Sequence, residues 1–267
     1  MFVAELKGKI PSELQNYEDI LTSSTIGVFQ YLSSPSYIQA VLESSINIGH
    51  ENLKFAGEIE ESDYIFWPKL EASEPDVLLY LKTVDGTEYL ICIEAKFWSD
   101  KSSSEDLSIE FQDRGNGQRD QLAREIEDLH KNICFHLFNL NKKKIKKPIL
   151  LYLTNHTYFP STKILESLNH VKVPCFPKEN IYWLPWREIH KIINKTTKFH
   201  TSQDILILTD LKKILEKKGL KGFNGYQQEI VPVKVLNYDY STSSEFIEWD
   251  IKQVNNICWK YGGTKNG

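Results

Sequence analysis

The sequence has few of the features that mark secreted, zinc-binding or membrane-spanning proteins. Its four cysteines are far apart and form no Cys-x-x-Cys pair, so the pattern predicts neither a disulfide framework nor a zinc site. There is no run of eighteen apolar residues that could span a membrane, and the first residues lack the apolar core of a signal peptide. We therefore expect a protein with no membrane partner, located in the reducing cytoplasm.

The chain also lacks an excess of positive charge. It has 32 lysines and arginines against 36 acidic residues, with a net charge of -4, which argues mildly against binding nucleic acid through net charge alone. Local patches would have to provide the contacts. The densest basic cluster could contact phosphates, although its charges would also be favourable at a helix C-terminus without any ligand. It consists of Lys142, Lys143, Lys144, Lys146 and Lys147.

Length and patterning indicate a globular α/β protein. A chain of 267 residues with 41% apolar and 25% charged residues can bury a substantial core. Strand and helix signals alternate after a first hairpin, which is typical of an α/β sheet covered by helices. We predict a main domain at residues 1–222 and a C-terminal extension at residues 223–267, which could pack on the core.

Two apolar runs, residues 74–80 and 89–98, predict paired strands because Asp85 and Gly86 between them form a strong hairpin signal. Alternation places Glu94 and Lys96 on one face of the second strand, and the apolar residues on both faces indicate that this strand is covered on each side. A buried charge there needs a partner, a metal ion or a shifted pKa.

Hairpin pairing would bring Asp76, at the start of the first strand, close to Glu94 and Lys96 at the end of the second. Mg²⁺ prefers carboxylate and carbonyl oxygens together with water molecules. Such an ion polarises a phosphoryl oxygen and lowers the pKa of a bound water. The three residues therefore form a candidate catalytic site for phosphoryl chemistry.

Pro75 and Asp76, followed eighteen residues after the aspartate by Glu94, Ala95 and Lys96, resemble the signature of the PD-(D/E)XK nuclease superfamily. The resemblance implies a restriction-endonuclease-like core, with a mixed central sheet flanked by helices. It also implies that Asp76, Glu94 and the Ala95 carbonyl hold Mg²⁺, with Mn²⁺ tolerated. Lys96 would then orient the attacking water or help to deprotonate it.

Glu18 is a further candidate ligand. A capping-box pattern at Ser12 predicts a helix whose apolar stripe runs from Leu14 to Leu32, and Glu18 falls within this stripe. Many superfamily members carry a glutamate on the first helix that completes the metal site, so the resemblance implies this role for Glu18. Alternatively, its stem could lie along the edge of the stripe with the carboxylate in water.

Another helix is predicted from Gln118 to about Leu140 by apolar residues at helical spacing. Several branches of the superfamily have a glutamine on this helix that touches the site or the phosphate backbone. The sequence around Gln121, which includes Glu125, resembles that motif and favours Gln121 as the catalytic glutamine. The periodicity places Gln118 nearer the buried stripe, so the choice between the two glutamines stays open.

The resemblance implies a metal-dependent nuclease, with DNA a more favoured substrate than RNA. Members of the superfamily are common in bacterial restriction and anti-phage defence, and a DNA endonuclease of that kind is the leading interpretation. A homodimer or a partner subunit would be compatible with double-strand cleavage. The alternative is a catalytically inactive module with the same fold that binds nucleic acid or a protein partner.

Overall fold

A six-stranded sheet forms the centre of the protein. The computed structural model describes residues 2–9, 17–97, 120–172, 176–196 and 200–223, all within a unit that spans residues 1–224. Its strands are β1 (Ile46–Asn47), β2 (Ile59–Phe66), β3 (Val77–Thr83), β4 (Glu88–Lys96), β5 (Ile145–Thr154) and β6 (Ile181–Pro185).

Helices cover both faces of this sheet. The α-helices of the described ranges are α1 (Phe2–Leu6), α2 (Glu18–Thr25), α3 (Ser36–Glu43), α4 (Gln121–Leu129), α5 (Asn132–Leu137), α6 (Ser161–Asn169), α7 (Trp186–Lys195) and α8 (Ser202–Lys217). Short 3₁₀ helices lie at Gly27–Tyr31, Lys142–Lys144 and Lys178–Asn180.

The strand order is β1-β6-β5-β4-β3-β2. Strands β2, β3 and β4 pair antiparallel, β4, β5 and β6 pair parallel, and β1 joins β6 antiparallel. The parallel connections pass through helices, as parallel pairing requires. The prediction of an α/β fold with a mixed sheet flanked by helices is therefore confirmed.

Two apolar layers lie on opposite faces of the sheet. Along β4, Tyr89, Ile91 and Ile93 belong to the layer that includes residues of α2, α3, α7 and α8. Leu90 and Cys92 point the other way and join the layer that includes residues of α4, α5 and α6. Central strands are buried on both sides, which explains their nearly continuous apolar sequence.

The predicted hairpin is present, but its loop is longer than two residues. Residues 84–87 separate β3 from β4. Gly86 has a φ of +81°, a left-handed conformation that glycine adopts without steric cost. Asp85 accepts a hydrogen bond from the backbone N–H of Thr87 at 3.1 Å, so its side chain also shapes the turn.

Two predicted helices are shorter than their apolar stripes suggested. The first ends at Thr25 and is followed by a 3₁₀ helix, and Leu32 is already extended, so the predicted continuation to Leu32 is wrong. The predicted cap at Ser12 lies outside the described residues. The helix expected up to Leu140 is interrupted after Leu129, because the chain turns at His130 before α5 begins.

Two lysines of the basic cluster make hydrogen bonds within the protein. Lys142 donates a hydrogen bond to the carbonyl of His130, the residue that caps the end of α4, which is the favourable position for a cation at a helix C-terminus. Lys147 donates to the Tyr182 hydroxyl at 3.2 Å. No helix in the described part of the chain is long and apolar enough to cross a membrane.

Candidate active site

The ends of β3 and β4 bring the predicted aspartate and glutamate together. Val77 pairs with Ile93 in the antiparallel register, and one further step in that register places Asp76 opposite Glu94. The backbone N–H of Ala95 donates a hydrogen bond to Asp76 Oδ2 at 2.8 Å. Asp76 is 8% exposed and Glu94 is 1% exposed, so both carboxyl groups lie in a nearly dry environment.

Lys96 connects these carboxylates to the first long helix. Its Nζ atom forms an ion pair with Glu94 Oε1 and another with Glu18 Oε1, the latter at 3.0 Å. The residue is only 5% exposed, which makes the surrounding carboxylates necessary partners for the ammonium group. Lys96 and Glu94 lie on the same face of β4, as the alternation of the strand predicted.

Glu18, the first residue of α2, also lies in the site. Its Oε1 atom accepts from Lys96, and Oε2 accepts from the backbone N–H of Phe97 at 2.7 Å. The carboxylate thus turns inward, contrary to the alternative in which it reaches water. These contacts make Glu18 a positioning residue for Lys96 and for the end of β4, while its role as a metal ligand stays a prediction.

The ionisation of the site follows from burial and from the neighbouring charges. Burial and the carboxylate of Glu94 raise the pKa of Asp76 to about 8. Burial raises the pKa of Glu94, although the charge of Lys96 opposes this shift. Burial alone would lower the pKa of Lys96, but Glu94 and Glu18 outweigh it and raise the pKa, so Lys96 stays protonated at neutral pH.

Of the two candidate glutamines, only Gln121 lies within the described residues. It is the first residue of α4 and is half-buried, and the helix begins after Asp120, whose side chain accepts a hydrogen bond from the Ala123 N–H at 3.0 Å. Gln118 lies outside the described residues. The catalytic role of Gln121 therefore stays a prediction.

Glu125 is a further acidic residue of the site, to which the sequence motif gave no role. It belongs to α4, is 0% exposed, and its carboxyl group lies within hydrogen-bonding reach of that of Glu94. The sequence contained a signal for it, because Glu125 shares the helical face of Leu122, Ile126 and Leu129. Glu18 was identified as a candidate because it is an acidic residue within an apolar stripe, and the same criterion identifies Glu125.

Side chains on either side of Glu125 fix α4 to the loop that precedes Asp76. Arg124 donates a hydrogen bond to the Ala72 carbonyl at 2.8 Å. Asp128, which is fully buried, accepts from the Ala72 N–H at 2.9 Å and from the Ser73 hydroxyl at 2.8 Å. The helix and the loop therefore hold their carboxylates in a fixed relation to each other.

The opposite layer of the protein also supports the site. Trp186, the first residue of α7, is fully buried, and its indole N–H donates to the Lys96 carbonyl at 3.0 Å. This contact fixes the backbone at the end of β4, from which Lys96 and Phe97 reach Glu18. The end of β4 is thus held from both faces of the sheet.

The donor set suits a hard divalent cation, although the side chains are not closed around one. Both oxygens of Glu125 are buried and accept no hydrogen bond from a described basic or backbone group, Glu94 is paired only with Lys96 among the described basic groups, and carboxylate oxygens are the ligands that Mg²⁺ prefers. As they stand, no three His, Cys, Asp or Glu groups within the described ranges are gathered tightly enough to hold a metal ion.

A cavity of about 690 Å³ lies elsewhere on the molecule. Its walls come from α1, α2, the first 3₁₀ helix, the end of β2 and α8, and the carboxylates described above are not among its lining residues. Trp67 lines it, and the Trp67 N–H donates to the Asp76 carbonyl at 3.0 Å. The cavity is mainly apolar and has no arrangement of acids and bases that indicates chemistry.

The chain matches no protein-family model, no curated protein and no solved structure. An α/β mixed sheet by itself does not define an activity, because one fold supports many functions. What the protein does must therefore be inferred from its site residues and their geometry.

Proposed function

We propose that this protein is a metal-dependent nuclease of the PD-(D/E)XK type that hydrolyses phosphodiester bonds, with DNA as the favoured substrate. One observation carries the proposal: Asp76, Glu94, Lys96 and Glu18 converge where β3 begins and β4 ends. Asp76, Glu94 and Lys96 belong to one hairpin, whereas Glu18 comes from a helix that is distant in sequence. An accidental match to the short motif gives no reason for Glu18 to contact Lys96.

The sheet supports the same proposal. The hairpin β3–β4 carries the acidic residues, and β5 and β6 continue the sheet in parallel from β4. A mixed sheet with helices on both faces is what a restriction-endonuclease-like core requires. A role in bacterial restriction or anti-phage defence belongs to the proposal through the resemblance of the motif.

Asp76, Glu94 and the Ala95 carbonyl would hold the Mg²⁺ ion, and Glu18 would complete the set. When bound, such an ion supplies Lewis acidity to a phosphoryl oxygen and a bound water of lowered pKa. Asp76 is oriented for this by the Ala95 N–H, which fixes one carboxylate oxygen. Glu94 is buried and is paired with Lys96 through Oε1.

Lys96 acts as a charged hydrogen-bond donor. Because Glu94 and Glu18 keep its ammonium group protonated, it does not remove a proton from the attacking water. It instead holds that water or a phosphate oxygen and stabilises the negative charge that develops there. In the reaction, the water oxygen would bond to phosphorus and release a proton to solvent, the bond to the 3′ oxygen would break, and that oxygen would take up a proton.

The test compares wild type with Asp76→Asn on supercoiled plasmid, linear duplex, single-stranded DNA and RNA, each with Mg²⁺, Mn²⁺ or EDTA. Asparagine removes the charge but can still accept the Ala95 N–H, so the fold should be retained. Lys82→Ala is the control, because Lys82 lies on β3 with surface ion pairs to Glu60 and Glu61.

We expect cleavage by wild type and Lys82→Ala with a divalent metal, and a loss of at least 100-fold in Asp76→Asn. Cleavage that persists in EDTA or in Asp76→Asn would contradict the proposal. If wild type neither cleaves any substrate nor binds metal, the protein is better described as a non-catalytic module that binds nucleic acid or a protein partner.

A further inference from the structure

A third carboxylate faces the strand that carries the proposed site. Glu125 lies in the middle of α4 and is completely buried, and its carboxyl group meets that of Glu94 within hydrogen-bonding reach. Asp76 is close enough to act on it electrostatically. Three acidic side chains therefore come together beneath one helix, on the same face of the sheet.

The group that meets the Glu125 carboxyl is another acid, Glu94. Within the described part of the chain, no other hydrogen-bond donor reaches either oxygen of Glu125, whereas Glu94 is paired with Lys96 through Oε1. Removing an unpaired carboxylate from water costs several kcal/mol. Glu125 lies on a helix face otherwise made of leucine and isoleucine. Its carboxylate therefore requires a cation between it and the carboxylate of Glu94.

The basic side chains nearby do not neutralise the carboxylate of Glu125. The ammonium group of Lys96 contacts Glu94 and Glu18. The guanidinium group of Arg124, the neighbour of Glu125 in the chain, is directed to the Ala72 carbonyl. The site therefore has more buried acidic groups than basic groups available to neutralise them.

The carboxyl group is also held in place. Arg124 and Asp128 tie α4 to residues 72–73, just before Asp76, and Leu122, Ile126 and Leu129 pack into the apolar layer around it. Glu125 is thus presented to Glu94 by a helix fixed at several points. A fixed set of oxygen ligands reduces the entropy lost when an ion binds.

We propose that Glu125 is a ligand, together with Glu94, of a divalent cation bound between α4 and β4. This deepens the proposed function and rests on it, because Glu94 belongs to both ligand sets. The cation is a hard divalent ion such as Mg²⁺ or Mn²⁺, since every donor is a carboxylate oxygen. Glu125 thereby links α4 to the chemistry of the site.

The experiment measures Mn²⁺ binding directly, by calorimetry and by the paramagnetic signal of free Mn²⁺, with no substrate present. Wild type is compared with Glu125→Gln and with Glu127→Gln on the same helix. Glu127 is a matched control, because it is also buried and its Oε1 atom accepts the Lys172 N–H at 2.8 Å, a bond that glutamine can keep. Melting curves in EDTA report on folding.

We expect Glu127→Gln to bind Mn²⁺ like the wild type and Glu125→Gln to bind it at least tenfold more weakly. In EDTA, Glu125→Gln should melt no lower than wild type, because the glutamine amide is neutral in this buried position and can donate a hydrogen bond to Glu94. Glu125→Asp, which keeps the charge, should recover part of the binding.

Unchanged Mn²⁺ binding in Glu125→Gln would overturn this inference alone and leave the proposed function standing. A Glu125→Gln protein that melts far below wild type in EDTA would also overturn it, since the carboxyl group would then stabilise the cation-free fold. Absence of Mn²⁺ binding in wild type would remove the metal-dependent function itself, and this inference with it.

Discussion

Asp76 occupies a position where two effects oppose a negative charge. It is nearly buried, and the carboxylate of Glu94 lies opposite, so its pKa rises to about 8. Only the Ala95 N–H and the more distant charge of Lys96 favour the ionised form. A carboxyl group in such a position destabilises the folded protein when it is ionised, and functional sites commonly exchange stability for function in this way.

We expect Asp76→Asn to melt at a higher temperature than wild type in EDTA, with a difference that grows from pH 5 to pH 8. The unfolded chain loses the Asp76 proton near its ordinary pKa of 3.8, whereas the folded state keeps it to about pH 8. The contribution of this proton to the free energy of unfolding is fully present below the unfolded pKa of 3.8. It decreases by about 1.4 kcal/mol per pH unit as the pH rises to the folded pKa of about 8.

Melting curves followed by circular dichroism at both pH values provide the measurement. Lys82→Ala serves again as a surface control whose melting temperature should follow that of wild type. A difference between Asp76→Asn and wild type that stays the same at both pH values would show that Asp76 does not hold its proton.

At the scale of elements, the site depends on the contact between α4 and the loop before β3. Asp128 accepts two hydrogen bonds from Ala72 and Ser73, and its other oxygen pairs with Lys131 at 2.9 Å. Because Asp128 is fully buried, these groups depend on one another for hydrogen bonding. The contact sets where Asp76 lies relative to Glu94 and Glu125.

Asp128→Ala should therefore lower the free energy of unfolding by about 2–4 kcal/mol, since it removes charge-assisted hydrogen bonds and leaves the Ala72 N–H and the Ser73 hydroxyl without an acceptor. Urea unfolding measures this change. Glu166→Ala, at an exposed position of α6, should change stability by less than about 0.5 kcal/mol. Equal stability of the two variants would show that the loop is held by other contacts.

At the scale of the whole molecule, one aspartate joins elements far apart in the sequence. Asp204 forms a capping box with Thr201 at the start of α8. The same carboxylate accepts hydrogen bonds from the Ser33 backbone at 2.9 Å and from the Tyr37 hydroxyl at 3.3 Å. It thus fastens the last described helix to the segment that leads into α3.

Asp204→Ala should reduce stability at pH 7 by about 2 kcal/mol, through loss of the cap and of the bonds to Ser33. Burial alone would raise the pKa of Asp204, but the hydrogen bonds from Ser33 and Thr201 together lower it. A lowered pKa provides stability above the unfolded pKa, and this stability is lost as pH falls through the folded value. The difference in free energy of unfolding between Asp204→Ala and wild type should therefore decrease below pH 4, as measured by urea titration. A difference that does not depend on pH would contradict a role for the ionised carboxylate.

The sequence by itself determined the elements that carry the site. Strand alternation predicted that Glu94 and Lys96 share a buried face, and the hairpin signal predicted that Asp76 would approach them. These predictions depend on local geometry, which a short sequence pattern specifies well. The end of α8 is local in the same sense, because Lys217 is followed by Gly219 with a φ of +72°.

Only the tertiary structure decided what surrounds those elements. The break after Leu129 could not be seen in a continuous apolar stripe, because Leu129 and Cys134, on either side of it, are buried in the same apolar layer. Likewise, Glu125 faces Glu94 because α4 packs against β4. Periodicity identifies the buried face of a helix, but only the packing of the folded chain determines which strand lies against that face.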